Sequence, residues 1–408
     1  MARILFVSAP LPGHLDWGGY LHTAAELVRQ GHTVLWATEK AVIGAVSQAG
    51  VPVQAIPTTG WRWPPPPLPA TLPAAELPKV RMLRALDTWL SETLVAHGVE
   101  ALADIGISFQ PDVLVTEPFL SAAALVAELL DVPLVVCGWP AEPAPSKPLK
   151  QPQASVAAEA RARLQRLCQH FNLTGGNWNR GATPFIESPR LHVVYFSRSW
   201  YADRPQILPQ THFVGGWASP PAMAPPDWLA GLPDDRLWVF ITLGSAFIND
   251  PSFFVNASHA ATQVGAIPII STGRSNLASK LKAQLRPHLP VGSLLLDWVD
   301  YGHLFPKLAA AIHHGGVGTT HAAILHGLPQ LIVPHAADQF MQARRATLTG
   351  VGLSLRAQEA TPSRIAEALT RLLQEPHFRE RATSLQAEFA ALGGIPRAAE
   401  LIINVRKR

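Results

Sequence analysis

The sequence predicts an α/β protein built from two doubly wound, Rossmann-like domains. Short apolar segments of strand length alternate with segments at helical spacing in the first half, and the same alternation begins again in the second half. A proline-rich stretch separates the two halves. Alternating strands and helices favour parallel sheets covered by helices on both faces. A chain of 408 residues also exceeds the length of one typical core.

The first half contains two strand–helix–strand units. Residues 3–8 form an apolar strand, and residues 19–30 have apolar positions at helical spacing before Gly31 ends the helix. Strand 33–37 follows, and this order implies a right-handed parallel connection. The pattern recurs as a strand, a helix and a strand at residues 112–116, 122–130 and 133–137.

The second half repeats this alternation and ends in a long helical region. Its predicted elements are strand 237–243, helix 254–264, strands 268–271, 293–296 and 308–313, and a helical region at 362–405 that is broken near Gly393-Gly394.

These patterns divide the chain into four predicted regions. We expect a first domain at residues 1–205, a proline-rich linker at 206–233 and a second domain at 234–385. We expect the remaining helical segment, 386–408, to pack back on the first domain.

Composition narrows the classes of partner. The formal net charge is +4, but lysine and arginine are scattered, so we expect no nucleic-acid binding. Two cysteines cannot build a disulfide framework or a cysteine-rich zinc site, which favours a reducing, cytoplasmic compartment. We expect no signal peptide and no transmembrane helix. The basic end Arg406-Lys407-Arg408 could contact a membrane surface peripherally or remain a solvated tail.

Residues 313–339 carry the strongest chemical signal. The segment predicts a strand end, a glycine-rich turn at Gly315, Gly316 and Gly318, and a helix opened by Thr319. Free N–H groups and the positive helix end suit a diphosphate. About twenty residues later, the pair Asp338-Gln339 follows a second apolar strand and could bind hydroxyl groups. Together these features indicate a nucleotide sugar.

Several motifs, in the expected order along nearly the whole chain, carry a family resemblance. The segment His314-Gly315-Gly316-x-Gly318-Thr319-Thr320 with Asp338-Gln339 resembles the donor signature of the family 1 nucleotide-sugar glycosyltransferases, which have the GT-B fold. The chain is most similar to bacterial and to sterol- or carotenoid-type members. The other matching positions are Gly13-His14, Leu243-Gly244-Ser245 and Trp298.

The resemblance implies two Rossmann-like domains facing across a cleft and inverting transfer of a hexose to an acceptor hydroxyl. The implied donor is most often UDP-glucose, used as a co-substrate without another cofactor. His14 would be the general base, since an imidazole can take a proton at neutral pH. Glu117 would orient it, with Asp16 as the competing carboxylate. The implied donor-binding residues are Gly244, Ser245, Trp298, His314, Gly316, Gly318, Thr319, Asp338 and Gln339.

The acceptor side is predicted from aromatic residues of the first half. Trp61, Trp63, Phe119 and Trp139 lie in or near loops at strand ends, with Trp17 and Trp89 as further aromatics. They favour a small, lipophilic acceptor, although several could be core residues. We also expect no metal requirement, because no Asp-x-Asp motif is present and His321 and His326 do not share a helix face.

Two features depart from the resemblance, and three other functions compete with it. The run after Gly13-His14 is Leu15-Asp16-Trp17, where the family often has a proline. Ala322 stands where plant members have a ribose-binding glutamate. An NAD(P)-dependent oxidoreductase would use Gly316-x-Gly318 and Asp338, but its third glycine would fall at His321. A UDP-GlcNAc epimerase needs no acceptor pocket, so the aromatic loop at 61–67 counts against it. A sugar-nucleotide sensor would not require both His14 and Glu117.

Overall fold

The computed structural model describes residues 1–144, 148–216, 224–233, 235–244, 250–273, 278–336 and 338–405. Three sequence predictions fall outside these ranges. They concern Ser245, the basic end at 406–408, and residues 217–223 of the linker.

The chain divides into two units that do not follow simple halves. Unit 1 comprises Met1–Tyr195, Gln206–Val214 and the chain from Gly393 onward. Unit 2 comprises Phe196–Pro205 and Gly215–Leu392. The sequence-based boundaries placed 196–205 in the first domain and began the C-terminal segment at 386, so both differ from this division.

Unit 1 contains a seven-stranded parallel sheet with the order β3-β2-β1-β4-β5-β6-β7. The inner strand at Arg3–Val7 is apolar throughout after Arg3 and fully buried there, as expected when helices cover both faces of a sheet. The strands are β1 (Arg3–Val7), β2 (Thr33–Thr38), β3 (Val53–Ala55), β4 (Val113–Thr116), β5 (Leu134–Cys137), β6 (Leu191–Val194) and β7 (Thr211–Phe213). The helices up to residue 170 are α1 (Pro12–Asp16), α2 (Tyr20–Arg29), α3 (Ile43–Gln48), α4 (Leu77–Trp89), α5 (Glu92–Phe109), α6 (Ser121–Leu129) and α7 (Gln153–His170).

Unit 2 contains a six-stranded parallel sheet with the order β10-β9-β8-β11-β12-β13. The strands are β8 (Trp238–Thr242), β9 (Ile267–Ser271), β10 (Leu294–Leu296), β11 (Ala310–His313), β12 (Gln330–Ile332) and β13 (Gly352–Ser354). The helices are α8 (Asp227–Ala230), α9 (Pro251–Gln263), α10 (Ala278–Leu285), α11 (Tyr301–Leu304), α12 (Val317–Leu325), α13 (Gln339–Thr349), α14 (Pro362–Gln374) and α15 (Pro376–Ala391). The predicted α/β class with doubly wound parallel sheets is confirmed.

The last helix returns to unit 1. Helix α16 (Gly394–Val405) packs against α2 and β6. The predicted helical region 362–405 is broken twice, because Glu375 is extended (φ −85°, ψ 107°) before Pro376 as well as near Gly393. Over the described ranges, no helix is long and apolar enough to cross a membrane.

Each sheet reverses its order of strand addition between its two central strands. In unit 1 this happens between β1 and β4, where Val7 pairs with Thr116. In unit 2 it happens between β8 and β11, where Thr242 pairs with His313. The loops that follow such paired strands leave the same carboxyl edge on opposite sides, and open α/β sheets bind ligands there.

Candidate active site

A histidine–glutamate pair lies at the reversal point of unit 1. His14 belongs to the short helix α1 after β1, and Glu117 directly follows β4. His14 Nδ1 is 3.0 Å from Glu117 Oε1, across 103 residues of sequence. The Glu117 side chain is fully buried, whereas 17% of the His14 side chain is exposed. Asp16, the competing carboxylate, is exposed at the end of α1.

The hydrogen bonds of Glu117 determine which nitrogen of His14 can act as a base. Oε2 of the carboxylate accepts the backbone N–H of Phe119 at 3.0 Å. Oε1 can only accept from His14, so Nδ1 carries the proton and Nε2 is the basic nitrogen. A buried carboxylate held at both oxygens fixes the imidazole orientation and stabilises the imidazolium that proton transfer would form.

Aromatic rings surround His14. The ring centroids of Trp61 and Trp17 lie 4.7 Å and 5.7 Å from that of His14, both in edge-on arrangements. Phe119 contacts both indoles, at 6.0 Å from Trp17 and 6.4 Å from Trp61. Trp139 completes the group at 4.9 Å from Phe119. We call these four residues the aromatic cluster.

The aromatic cluster includes three of the four predicted acceptor residues and one addition. Trp17 was named only as an aromatic of the first half, because a tryptophan after a short helix gives no signal of its own. Trp63 exposes 50% of its side chain, so its acceptor role stays a prediction. Trp89 packs instead against Trp178, with ring centroids 6.4 Å apart.

The corresponding edge of unit 2 carries the glycine-rich turn. His313 ends β11, where its Nδ1 accepts the N–H of Gly315 at 3.0 Å and its Nε2 donates to Gln330 Oε1 at 2.9 Å. These two bonds join the turn to the neighbouring strand β12. Gly315 has φ +90°, and a Cβ there would lie 2.8 Å from Ile332 Cγ2, so the turn requires glycine.

The imidazole of His314 lies between two glycines. A Cβ on Gly244 would be 2.7 Å from His314 Cε1, and a Cβ on Gly316 would be 2.5 Å from its Nε2. Burial, reinforced by His313 and His335, lowers the pKa of His314 to about 3. The ring is therefore neutral near pH 7, and it can contribute a hydrogen bond but no charge.

Helix α12 begins at this turn. Gly316 is its N-cap, and Gly318 and Thr319 occupy its first turn. The hydroxyl groups of Thr319 and Tyr301 are 3.2 Å apart. The first backbone N–H groups of a helix have no partner inside the helix, so this end can bind an anion.

The Asp338-Gln339 pair opens helix α13. Gln339 is buried, and its Oε1 accepts the N–H groups of His335 at 2.8 Å and Ala336 at 3.0 Å. His335 Nε2 lies 3.2 Å from Asp250 Oδ2 at the start of α9. The carbonyl oxygen of Gln339 thus holds its own loop. Trp298, between β10 and α11, exposes 47% of its side chain.

Among the described residues, no group of three or more His, Cys, Asp or Glu could hold a metal ion. The absence of a metal requirement stays a prediction for solution experiments.

Comparisons with known proteins place this architecture among enzymes of sugar transfer. The family model of the erythromycin biosynthesis protein CIII-like C-terminal domain matches residues 276–405. The 4'-demethylrebeccamycin synthase of Lentzea aerocolonigenes is 24% identical, covering 98% of this chain and 99% of that protein. The aklavinone 7-beta-L-rhodosaminyltransferase of Streptomyces galilaeus is 27% identical, with coverages of 95% and 91%.

Solved structures extend the similarity to the whole fold. The spinosyn rhamnosyltransferase SpnG complexed with thymidine diphosphate superimposes with a TM-score of 0.74 at 22% sequence identity. The match covers 98% of this chain and 99% of that one. The fold of each sheet described above is therefore a known one.

Proposed function

We propose that this chain of GT-B fold is a family 1 glycosyltransferase that transfers a hexose from a nucleotide diphosphate sugar to a hydroxyl of a lipophilic natural product. Two of the relatives that cover nearly the whole chain are a 4'-demethylrebeccamycin synthase and an aklavinone 7-beta-L-rhodosaminyltransferase. Their names support a natural-product aglycone as the acceptor class. A cytoplasmic location stays a prediction.

The observation that carries this proposal is the His14–Glu117 pair at the carboxyl edge of unit 1. Nε2 of His14 would take the proton of the acceptor hydroxyl while the oxygen attacks the anomeric carbon. The bond from that carbon to the diphosphate oxygen breaks on the opposite face, so the configuration inverts. The resulting imidazolium is stabilised by the buried carboxylate, and the nucleoside diphosphate leaves.

The donor would bind at the glycine-rich edge of unit 2. The N–H groups of α12 and the neutral imidazole of His314 would hold the diphosphate, on which charge develops as the bond breaks. Trp298, half-exposed, would stack on the base. Asp338 and the amide NH₂ group of Gln339 would bind sugar hydroxyls, since the carbonyl of Gln339 is occupied.

The proposal also concerns which nucleotide sugar is the donor. The resemblance implies UDP-glucose, while a similar structure is a complex with thymidine diphosphate. The side chain of Ala322, in place of a ribose-binding glutamate, cannot hydrogen-bond the ribose of uridine. A thermal-shift series with UDP-, TDP- and GDP-sugars would identify the donor, because bound ligand raises the unfolding temperature.

Replacing the proposed base tests the function directly. We expect His14→Ala to lower kcat by roughly 100- to 10,000-fold, the usual contribution of a general base, while nucleotide binding stays intact. Glu117→Gln keeps the shape but loses the charge, so it should also lower kcat with little change in donor binding. Mass spectrometry of products, with EDTA present, measures transfer without free divalent metal.

Exposed His97 in α5 provides the matched control, since His97→Ala removes a solvent-exposed histidine from within a helix. Full activity of His14→Ala, or loss of transfer and nucleotide binding together, would contradict the assignment of His14. Turnover lost in EDTA and restored by a divalent ion would contradict metal independence.

A further inference from the structure

Two tryptophans beside His14 carry buried N–H groups without an acceptor. Nε1 of Trp17 and Nε1 of Trp61 are both inaccessible to solvent, and neither has a hydrogen-bond partner within the described residues. An indole N–H can only donate, and buried donors normally have a partner because desolvating them unpaired costs free energy. Two such groups around one imidazole mark a place where oxygen atoms are expected to bind.

The backbone around Trp17 is arranged to hold its ring in this place. Trp17 has φ +42° and ψ 16°, a left-handed conformation that is unfavourable for a bulky residue. Gly138, at φ +118°, supplies the space, since a Cβ there would lie 2.9 Å from Cδ2 of the indole. Unfavourable backbone conformations of this kind concentrate at ligand sites, where the surrounding structure maintains them.

The aromatic cluster supplies ring surface as well as the two donors. Phe119 touches both indoles, and Trp139 touches Phe119 and Trp17. Ring edges and faces at these distances suit an aromatic guest that stacks or meets them edge-on. The site therefore combines an apolar wall, one base and two hydrogen-bond donors.

We propose that an acceptor entering the aromatic cluster displaces the atoms that cover these two groups. The N–H groups of Trp17 and Trp61 then both donate to a second acceptor oxygen beside the hydroxyl presented to His14, since one oxygen has two lone pairs. This inference rests on the proposed glycosyl transfer and narrows its acceptor. The acceptor is an aromatic molecule with a second oxygen. This oxygen belongs to a hydroxyl or carbonyl group on the carbon adjacent to the one that bears the reacting hydroxyl.

The same donors disfavour acceptors with one isolated hydroxyl, such as sterols. The single oxygen of such a molecule is engaged by His14, and both indole N–H groups stay buried and unpaired. Sites built to hydrogen-bond a substrate oxygen discriminate strongly against analogues that lack it.

A matched pair of acceptors tests the proposal. We compare 1,2-dihydroxyanthraquinone, which has the adjacent oxygen, with 2-hydroxyanthraquinone, which lacks it. Calorimetry gives Kd for each, and kcat/KM is measured with the identified donor. The wild-type protein should prefer the dihydroxy compound by about tenfold or more, the effect of one good hydrogen bond. Trp17→Phe and Trp61→Phe, which keep an aromatic ring but remove the N–H, should each reduce that preference several-fold.

The matched control is Trp178→Phe. Trp178 also has a buried, unpartnered Nε1 among the described residues, but its ring stacks on Trp89. Its replacement should leave the preference unchanged. Thermal unfolding identifies variants that fail to fold, and Trp61→Phe decides the result if Trp17→Phe does not fold.

The outcomes separate this inference from the proposed function. Loss of the binding preference in both variants, with no sugar transfer by the wild type, supports the inference and contradicts glycosyl transfer. Transfer with equal preference in the wild type and the variants overturns the inference and leaves the function in place. Failure of the wild-type protein to bind either compound overturns it as well.

Discussion

The position of the His314 imidazole requires glycine at residues 244 and 316. A side-chain methyl group at either Gly244 or Gly316 would collide with the imidazole. These glycines therefore do more than let the backbone approach a phosphate. They leave room for a neutral ring at the start of α12, where its N–H can point at an anion.

Gly316→Ala separates ring placement from backbone strain. Gly316 has φ −63° and ψ 144°, which alanine adopts freely, so the new methyl group acts only by displacing His314. We expect UDP or TDP, whichever the protein binds, to bind about tenfold or more weakly by calorimetry, with acceptor binding unchanged.

Gly44→Ala is the control for this substitution, because a Cβ there meets nothing within 4 Å. Nucleotide binding by Gly316→Ala at the wild-type affinity would mean that His314 does not contribute to the donor site.

Two strands each hold a buried histidine whose hydrogen bonds require it to be neutral. In β6, His192 Nδ1 donates to the carbonyl of Trp139, and Nε2 accepts the N–H of Ser188. In β11, His313 is bonded in the same way to Gln330 and Gly315. A second proton on either ring would face an N–H group. Burial accordingly lowers the pKa of both His192 and His313 to about 4.

These two buried, neutral histidines predict that the folded state loses stability in acid. The unfolded chain binds protons at histidine near pH 6.5, whereas the folded chain does not until about pH 4, so stability is complete above pH 6.5 and falls below it. Each histidine should remove about 2 kcal/mol of unfolding free energy by pH 5. Urea unfolding at pH 8, 6.5 and 5 measures this loss.

His313→Gln is the informative variant. It should be less stable than the wild type at pH 8 but lose less stability between pH 8 and pH 5, because one titrating group is gone. A wild-type urea midpoint that stays constant over this range would contradict the prediction.

The elements that the sequence predicts are those with an uninterrupted local signal. The bounds of strand β1 and helix α2 agree with the predicted bounds to within two residues. Strand β1 has a continuous apolar run, and the helical spacing of α2 ends at Gly31. Strand β6 was not predicted. Its sequence includes His192, whose burial depends on partners at Trp139 and Ser188 in other segments. The break before Pro376 was also missed, since helical spacing continues across it.

The candidate site, too, was predictable from the sequence only in part. His14 and Glu117 were identifiable as residues that follow strands, but their contact depends on β1 and β4 being neighbours, which is a property of the sheet order. The use of Gln339 Oε1 within its own loop, and the buried N–H of Trp17, depend on side-chain placement that no local pattern encodes.

At the scale of the whole molecule, both units follow one plan. Each is a parallel sheet that reverses its strand order once, and each presents a buried or half-buried histidine beside that reversal. In unit 1 the histidine is paired with a carboxylate and suits proton transfer, and in unit 2 it is neutral beside a helix start and suits phosphate binding. Under the proposed function, one architecture would support two different chemical tasks.

Helix α16 makes the stability of unit 1 depend on the end of the chain. Ile402 in α16 is fully buried, and the helix packs on α2 and β6. Ile402→Ala should cost about 2–5 kcal/mol, as other large-to-small core substitutions do. Hydrogen exchange should then increase in peptides from α2 and β6, with α14 and α15 unchanged.

Arg397→Ala, on the exposed face of the same helix, is the control. Increased exchange confined to α14 and α15 in the Ile402→Ala protein would show that α16 does not stabilise unit 1.

The division of the chain also determines where two related glycosyltransferases can be recombined. A hybrid joined once, within residues 206–233, would combine the unit 1 sheet of one parent with helix α16 of the other. Its α2 and β6 would then face side chains selected to fit a different surface. Hybrids that retain a native unit 1 need α16 from the parent of Met1–Tyr195, and Phe196–Pro205 from the parent of Gly215–Leu392.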